Sequence, residues 1–177
     1  SSSMIFTPDL RWLALLVALL LAAPLTALPD AAKPPMQAAH AALDRGDGIA
    51  AEAELVRARE AGAARDELAA AMGEALLQQG ETVRARQWLA DGKFAKGTEG
   101  YGFRMLGWLE RIDGNLPAAG GALDRALAFS PRDPLLWVEI GRLRYAGGEQ
   151  LQAIEAADRA IAIGPDNVRA IELRAQL

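Results

Sequence analysis

The chain has 177 residues, is 51% hydrophobic and 24% charged, and carries a formal net charge of −4. That balance fits a folded protein and excludes global disorder, while the acidic excess argues against a general nucleic-acid binder. With no cysteine and the single histidine His40, disulfides, zinc ribbons, thiol nucleophiles and histidine-based dyads have no raw material.

Ser1–Ser3 precede Met4 and read as a remnant of expression cloning. From Trp12 to Ala23 the residues are all apolar, and Pro24 ends the run. Residues 4–28 therefore carry two readings. One is a secretory signal peptide cut after Ala27; the other is an uncleaved N-terminal membrane anchor over residues 10–28, close to the roughly 20 apolar residues that span a bilayer. A buried soluble helix fits less well, because Leu15-Leu16-Val17-Ala18-Leu19-Leu20-Leu21 is apolar on every face. Both leading readings place the rest of the chain outside the cytoplasm, on the periplasmic side. Residues 29–35, rich in proline, read as a linker.

Beyond the linker the chain is alanine-rich and poor in threonine, which favours helix over sheet. Gly46, Gly80, Gly114 and Gly148 recur every 34 residues, each followed by a polar residue. Small residues keep the same period: Ala39, Gly73, Gly107 and Gly141; Ala51, Ala85, Ala119 and Ala153; Ala58, Gly92, Ala126 and Ala160. The units are 32–65, 66–99, 100–133 and 134–167, with residues 168–177 as a partial capping helix. Apolar residues at helical spacing stand on both sides of each glycine, as in Trp137, Ile140, Gly141 and Leu143. Each unit is thus expected to be an antiparallel helix pair whose glycine ends the first helix in a left-handed conformation. Small residues fall where helices cross, and Pro131 and Pro165 close second helices. Asp133–Pro134 supplies a cap and a first-turn proline. Gly120–Gly121 falls mid-helix in this register, where close helix packing is the expected reason for it. One pair cannot bury its apolar face alone, whereas four stacked pairs make a continuous core.

These residues resemble the tetratricopeptide repeat (TPR) family over about residues 32–177. In unit four, Trp137, Ile140, Gly141, Gly148, Ala153, Ala160 and Pro165 stand at the family's Trp, Leu, Gly, Gly, Ala, Ala and Pro positions. Unit three matches through Phe103, Leu106, Gly107, Gly114, Ala119, Leu123, Ala126 and Pro131, and units one and two match more loosely. The resemblance implies an all-α, right-handed solenoid and a non-enzymatic scaffold. Its concave groove would hold an extended peptide or helix of another protein. The family's groove positions map to Lys33, Met36, His40 and Leu43, then Glu67, Ala70, Glu74 and Leu77. In units three and four they map to Tyr101, Arg104, Trp108 and Arg111, then Leu135, Val138, Arg142 and Tyr145.

This second half offers aromatic and arginine side chains, suited to a partner with apolar anchors and acidic or C-terminal carboxylate groups. The alternative is that Trp108 and Tyr145 pack between units and the arginines are solvated. The family's clamp for acidic chaperone tails needs a Lys/Asn pair and a further Asn. Met36, His40 and Ala71 stand there, or Arg104, Trp108 and Glu139 when counted from unit three, so the resemblance implies no chaperone-tail adaptor. No catalytic residue, metal site or cofactor is expected, since carboxylate pairs such as Glu52–Glu54 read as solvated faces. A second functional reading is a regulatory or docking fragment of a larger, enzyme-bearing repeat protein, suggested by the apolar residues Ile171, Leu173 and Leu177 in the partial last helix.

Overall fold

The computed structural model describes residues 27–177, and the leader readings for residues 4–26 lie outside the described residues. Among the described residues the chain folds into nine α-helices and no strand. They are α1 (Lys33–Asp44), α2 (Gly48–Glu60), α3 (Arg65–Gln78), α4 (Thr82–Leu89), α5 (Glu99–Ile112), α6 (Leu116–Phe129), α7 (Pro134–Ala146), α8 (Gln150–Ile163) and α9 (Val168–Gln176). Pairs α1/α2, α3/α4, α5/α6 and α7/α8 pack as antiparallel hairpins, and α9 caps the stack against α7 and α8. Successive first helices also touch: α1 meets α3, α3 meets α5, α5 meets α7 and α7 meets α9. None of the described helices is long and apolar enough to cross a membrane.

The hairpins form because the turn chemistry repeats. Gly46, Gly80, Gly114 and Gly148 all lie in the left-handed region, at φ 75, 78, 78 and 77°. The residue after each donates its backbone N–H back across the turn, from Asp47 to Ala42 O, Glu81 to Leu76 O, Asn115 to Glu110 O and Glu149 to Arg144 O. This bonding satisfies carbonyls that the ending helix leaves orphaned, and only glycine adopts the required φ without strain. At the other end of the pair, Asp133 Oδ1 accepts from Leu135 N (2.9 Å), and Pro134 opens α7 where no donor is lost.

Small residues sit where helices cross. A Cβ on Gly73 would stand 2.5 Å from Leu89 Cδ2, and one on Gly141 would stand 2.8 Å from Leu173 Cδ2. Gly107 likewise makes room for Leu123. Leu55, Leu68, Leu76, Leu89, Met105, Leu109, Leu123 and Leu136 are fully buried between ranks of buried alanines.

Three expectations need correction. Pro34 and Pro35 do not hold residues 29–35 open as a linker. Asp30–Ala32 forms a 3₁₀ turn, α1 begins at Lys33, and both prolines occupy its first turn, where the backbone donors have no helical partner anyway. Gly92 is not a crossing residue: α4 stops at Leu89, and Gly92 lies in the following loop at φ 64°. Phe94 fills the space that the missing turns of α4 would have occupied. Its ring lies over Gly102 and meets Phe103 edge-on at 5.1 Å. Finally, close packing does not account for Gly121, where an added Cβ would meet nothing within 4 Å.

Candidate partner-binding groove

The first helices α1, α3, α5, α7 and α9 line one continuous face, and the residues assigned to the groove distribute unevenly over it. Leu43, Ala70, Leu77 and Val138 are buried, Met36 is half-buried, and Lys33 and His40 are exposed. Glu67 accepts from the Ala64 backbone N–H (2.7 Å) and so serves the start of α3. Val138 is only 1% exposed and packs with Ala157, Ala160, Ala170 and Leu173. It therefore cannot meet a ligand, because α9 covers the position that the repeat pattern left open. Trp108 is half-buried and its ring packs against the main core cluster. Tyr145, at 57% exposure, is the aromatic side chain most available at the end of α7.

The arginines are not a bare positive stripe. Glu139, 4% exposed, is shared by two of them: Arg142 Nη1 donates to Oε1 (2.6 Å) and Arg111 Nη2 to Oε2 (3.1 Å). On α3, Glu74 accepts from the Tyr101 hydroxyl and from Gln78 Nε2 (3.4 Å), and Arg169 Nη1 of α9 stands 3.8 Å from it. Burial first, and then the negative charge of Glu74, push the Tyr101 phenol well above its ordinary pKa. A buried carboxylate needs such partners, since an unpaired one would carry the full desolvation cost. The charge reversal on this face is therefore largely internal, made of arginines held against carboxylates of the same or another first helix.

Arg104 differs. It is 7% exposed, its guanidinium lies 5.1 Å from the Tyr101 ring centroid, and its Nε stands 3.2 Å from Asp133 Oδ2. That approach is not aligned as a hydrogen bond, and Arg104 Nε has no hydrogen-bond partner among the described residues. Asp133 is already committed through Oδ1 to the start of α7. Tyr101, Arg104 and Leu135 share a cleft of about 390 Å3 with His40, Leu43, Asp44, Glu74, Asn167, Val168 and Arg169. Curvature of the stack thus brings α1 and α9, its two ends, to one depression. Sequence reasoning did not assign Glu139, Asp133 or the α9 residues to this face. Pairing offsets of 27 for Glu74–Tyr101 and 28 for Arg111–Glu139 could have revealed the first of these, being somewhat less than one repeat.

Among the described residues no cluster of three or more potential metal ligands occurs. Elsewhere Glu52, read as solvated, bridges units one and two by accepting from Gln79 Nε2 (2.9 Å) and pairing with Arg84. Burial raises its pKa, but the hydrogen bonds from Arg84 and Gln79 outweigh that and hold the carboxyl below its ordinary value.

No family model matches the chain. Two protein adenylyltransferases named fic-1, from Caenorhabditis briggsae and Caenorhabditis elegans, are each 35% identical to it over 66 residues, which is 37% of this chain and 13% of theirs. The chain therefore spans only a small part of those relatives. Among solved structures it resembles YrrB, described as a TPR protein with an unusual peptide-binding site. The TM-score is 0.56 at 19% identity, over 82% of this chain and 75% of that one. It also resembles the MamA protein, at a TM-score of 0.55 and 23% identity over 83% of this chain and 80% of the other. By its repeated helix pairs, glycine turns and structural neighbours, the chain is a TPR-like repeat protein.

Proposed function

We infer that the protein is a non-enzymatic interaction scaffold that holds a peptide or helix of another protein on the face lined by α1, α3, α5, α7 and α9. The observation that carries this reading is the cleft joining both ends of that face, where polar and aromatic side chains stand over a buried alanine and leucine core. The peptide-binding site named for YrrB supports it. The apolar run in residues 10–28 supports placement in the cell envelope, exported or anchored on the periplasmic side, with the repeats facing an envelope partner.

Photo-crosslinking tests the face. A crosslinking residue at Tyr145, on the inner face, is expected to trap a partner from membrane extracts, whereas one at the exposed Asp158 of α8 is not. The reverse pattern would move binding to the outer face. Fractionation of cells expressing the native gene, with sequencing of the mature N-terminus, tests the location. Recovery in the soluble cytoplasm with an intact leader would defeat the envelope reading. The 66-residue likeness to adenylyltransferases favours one other reading, a partner-docking repeat segment of a larger, enzyme-bearing protein. A reading frame continuing past Leu177 into a second domain would support it.

A further inference from the structure

We propose that the inner face is held closed by a latch and opens on a hinge. Arg169 of α9 against Glu74 of α3 is the latch, and the joint between units three and four is the hinge. That this device governs binding rests on the inner face being the binding face.

The latch follows from the curvature of the stack. All five first helices line the inner cleft, through His40 of α1, Glu74 of α3, Tyr101 of α5, Leu135 of α7 and Val168 of α9 among others. Its volume of about 390 Å3 is less than one turn of a helix with its side chains, which fills about 420 Å3 at a width of about 10 Å. A partner helix therefore enters only if the ends of the stack move apart. Among the described residues α9 packs on α7 and α8 but not on α1 or α3. Side chains alone span that gap, and Arg169 Nη1 stands 3.8 Å from Glu74 Oε1. The pair bypasses units three and four.

This pair is able to release. Glu74 also accepts from the Tyr101 hydroxyl and from Gln78 Nε2, so the buried carboxylate keeps two donors when Arg169 leaves. The Arg169 side chain is 34% exposed, and its guanidinium can pass into water.

The hinge lies among the joints that the latch spans. Between units two and three, Arg86 donates to Glu110 and Asp113. Between α8 and α9, Arg174 donates to Asp158. Between units three and four, Gly120 has no side chain, Arg144 donates within its own unit, and a furrow of about 460 Å3 takes the place of a bond. On the inner side of that joint Arg111 donates to Glu139, which ties α5 to α7 and sets the pivot there. Rotation about the pivot closes the outer furrow as α9 swings away from α3. Packed joints do not deform continuously, so an empty furrow is where such a movement has room.

The chain has no cysteine, so spin labels on introduced cysteines test the device by electron–electron double resonance. Ala41→Cys with Glu172→Cys reports the distance between α1 and α9, and Ala41→Cys with Gln87→Cys stays within units one and two; all three positions are exposed. Raising salt from about 0.05 M to about 0.5 M should move the first pair from a shorter to a longer distance, because a partly exposed ion pair is screened. At low salt, Arg169→Ala should raise the long-to-short ratio about fivefold, the scale of one such pair, and remove most of the salt response. Gly120→Leu, which fills the furrow, should return the Arg169→Ala protein toward the shorter distance. The second label pair should not change.

Identical distance distributions for wild type and Arg169→Ala would overturn the latch. A long component undiminished by Gly120→Leu, or a change in the second label pair, would overturn the hinge at this joint. Photo-crosslinking separates the device from the reading of the face. With the crosslinking residue at Tyr145, Arg169→Ala should trap more partner than the parent chain. A distance that responds while crosslinks form only at Asp158 would keep the latch and remove the inner face as the binding face. Should Arg169→Ala unfold, the salt series on the parent chain decides, and a distance unmoved by salt would overturn the latch.

Discussion

At the scale of single residues, the inner face is governed by which charges already have partners. Glu74 and Glu139 are buried acids, each met by a group reaching from an adjacent first helix, Tyr101 for the former and Arg111 for the latter. Tyr101 illustrates the consequence for stability. Its phenol is held neutral in the fold, by burial and then by the Glu74 charge, so its folded pKa lies above the unfolded one. Below about pH 10 the phenol is protonated in both states and its contribution is fully present. As pH rises beyond that value the unfolded phenol ionises first, and stability is lost until the folded phenol also titrates.

Tyr101→Phe should therefore have two effects. At neutral pH it removes a donor from buried Glu74 and should cost about 1–3 kcal/mol. Between about pH 8 and about pH 11 its stability should fall less steeply than that of the wild type. Urea midpoints measured at both pH values check this, and parallel decline in the two proteins would show that another group governs the alkaline limb.

At the scale of elements, what decides each helix is where a side chain is missing. Gly141 sits where α7 crosses α8 and meets α9, with Leu173 Cδ2 2.8 Å and the Ala153 carbonyl oxygen 3.3 Å from a would-be Cβ. Gly141→Leu should cost about 3 kcal/mol by overpacking, because the carbonyl is backbone and cannot yield as a side chain can. Phe94 is the opposite case, an aromatic filling a gap left by helix that is not there. Phe94→Ala should cost about 3 kcal/mol and loosen the loop between α4 and α5. Thermal melts of the two variants, with hydrogen exchange over residues 90–98 for the second, would reveal it if either site were tolerant.

These two positions also show what was legible in the sequence. Gly141 belongs to a 34-residue series, so its role followed from period and size. Gly92 belongs to the same kind of series yet ends up in a loop. Period alone does not register that Asp91 and Gly92 together break a helix whose remaining turns Phe94 then replaces. The partners of the groove arginines were hidden for a different reason. A repeat pattern aligns equivalent positions, whereas ion pairs join non-equivalent ones across adjacent helices. Val138 was misplaced because α9, the partial capping helix, covers a position that is open in a unit followed by nothing.

At the scale of the whole molecule, stability in a stacked array is approximately a sum of unit terms and joints between neighbours. The joints here are unequal at one repeated position. In unit one Glu52 reaches forward to Gln79 and Arg84. In unit two its equivalent Arg86 donates to Glu110 and Asp113, at 2.7 Å each. In unit three the equivalent is Gly120, which has no side chain to reach with, and Arg144 turns instead to Glu149 of its own unit (2.9 Å). A furrow of about 460 Å3 lies there, lined by Leu116, Gly120, Leu127, Trp137, Ile140 and Arg144 among others. At this position the joint between units three and four lacks the polar bridge found at the other two, and Arg111 to Glu139 on the inner face is the pair that links them. In native-state hydrogen exchange, α8 and α9 should open at lower free energy than α3 and α5.

Restoring the bridge tests the same idea in the opposite direction. Gly120→Glu places a carboxylate on the wall facing Arg144, and a Cβ there meets only Leu143 Cδ2 at 3.9 Å. Replacing a mid-helix glycine gains about 0.5 kcal/mol, and an exposed pair adds up to about 1 kcal/mol more. The sum, about 1 kcal/mol, should raise the melting temperature by about 3 °C in a chain of this size. Gly120→Gln provides the control. It gains nearly the same helix propensity at the same site and adds no charge. If the two variants gain equally, the gain is propensity alone and the joint is not short of a bridge. If Gly120→Glu exceeds the control and the excess shrinks as salt is raised, the charge pair across the joint accounts for the difference.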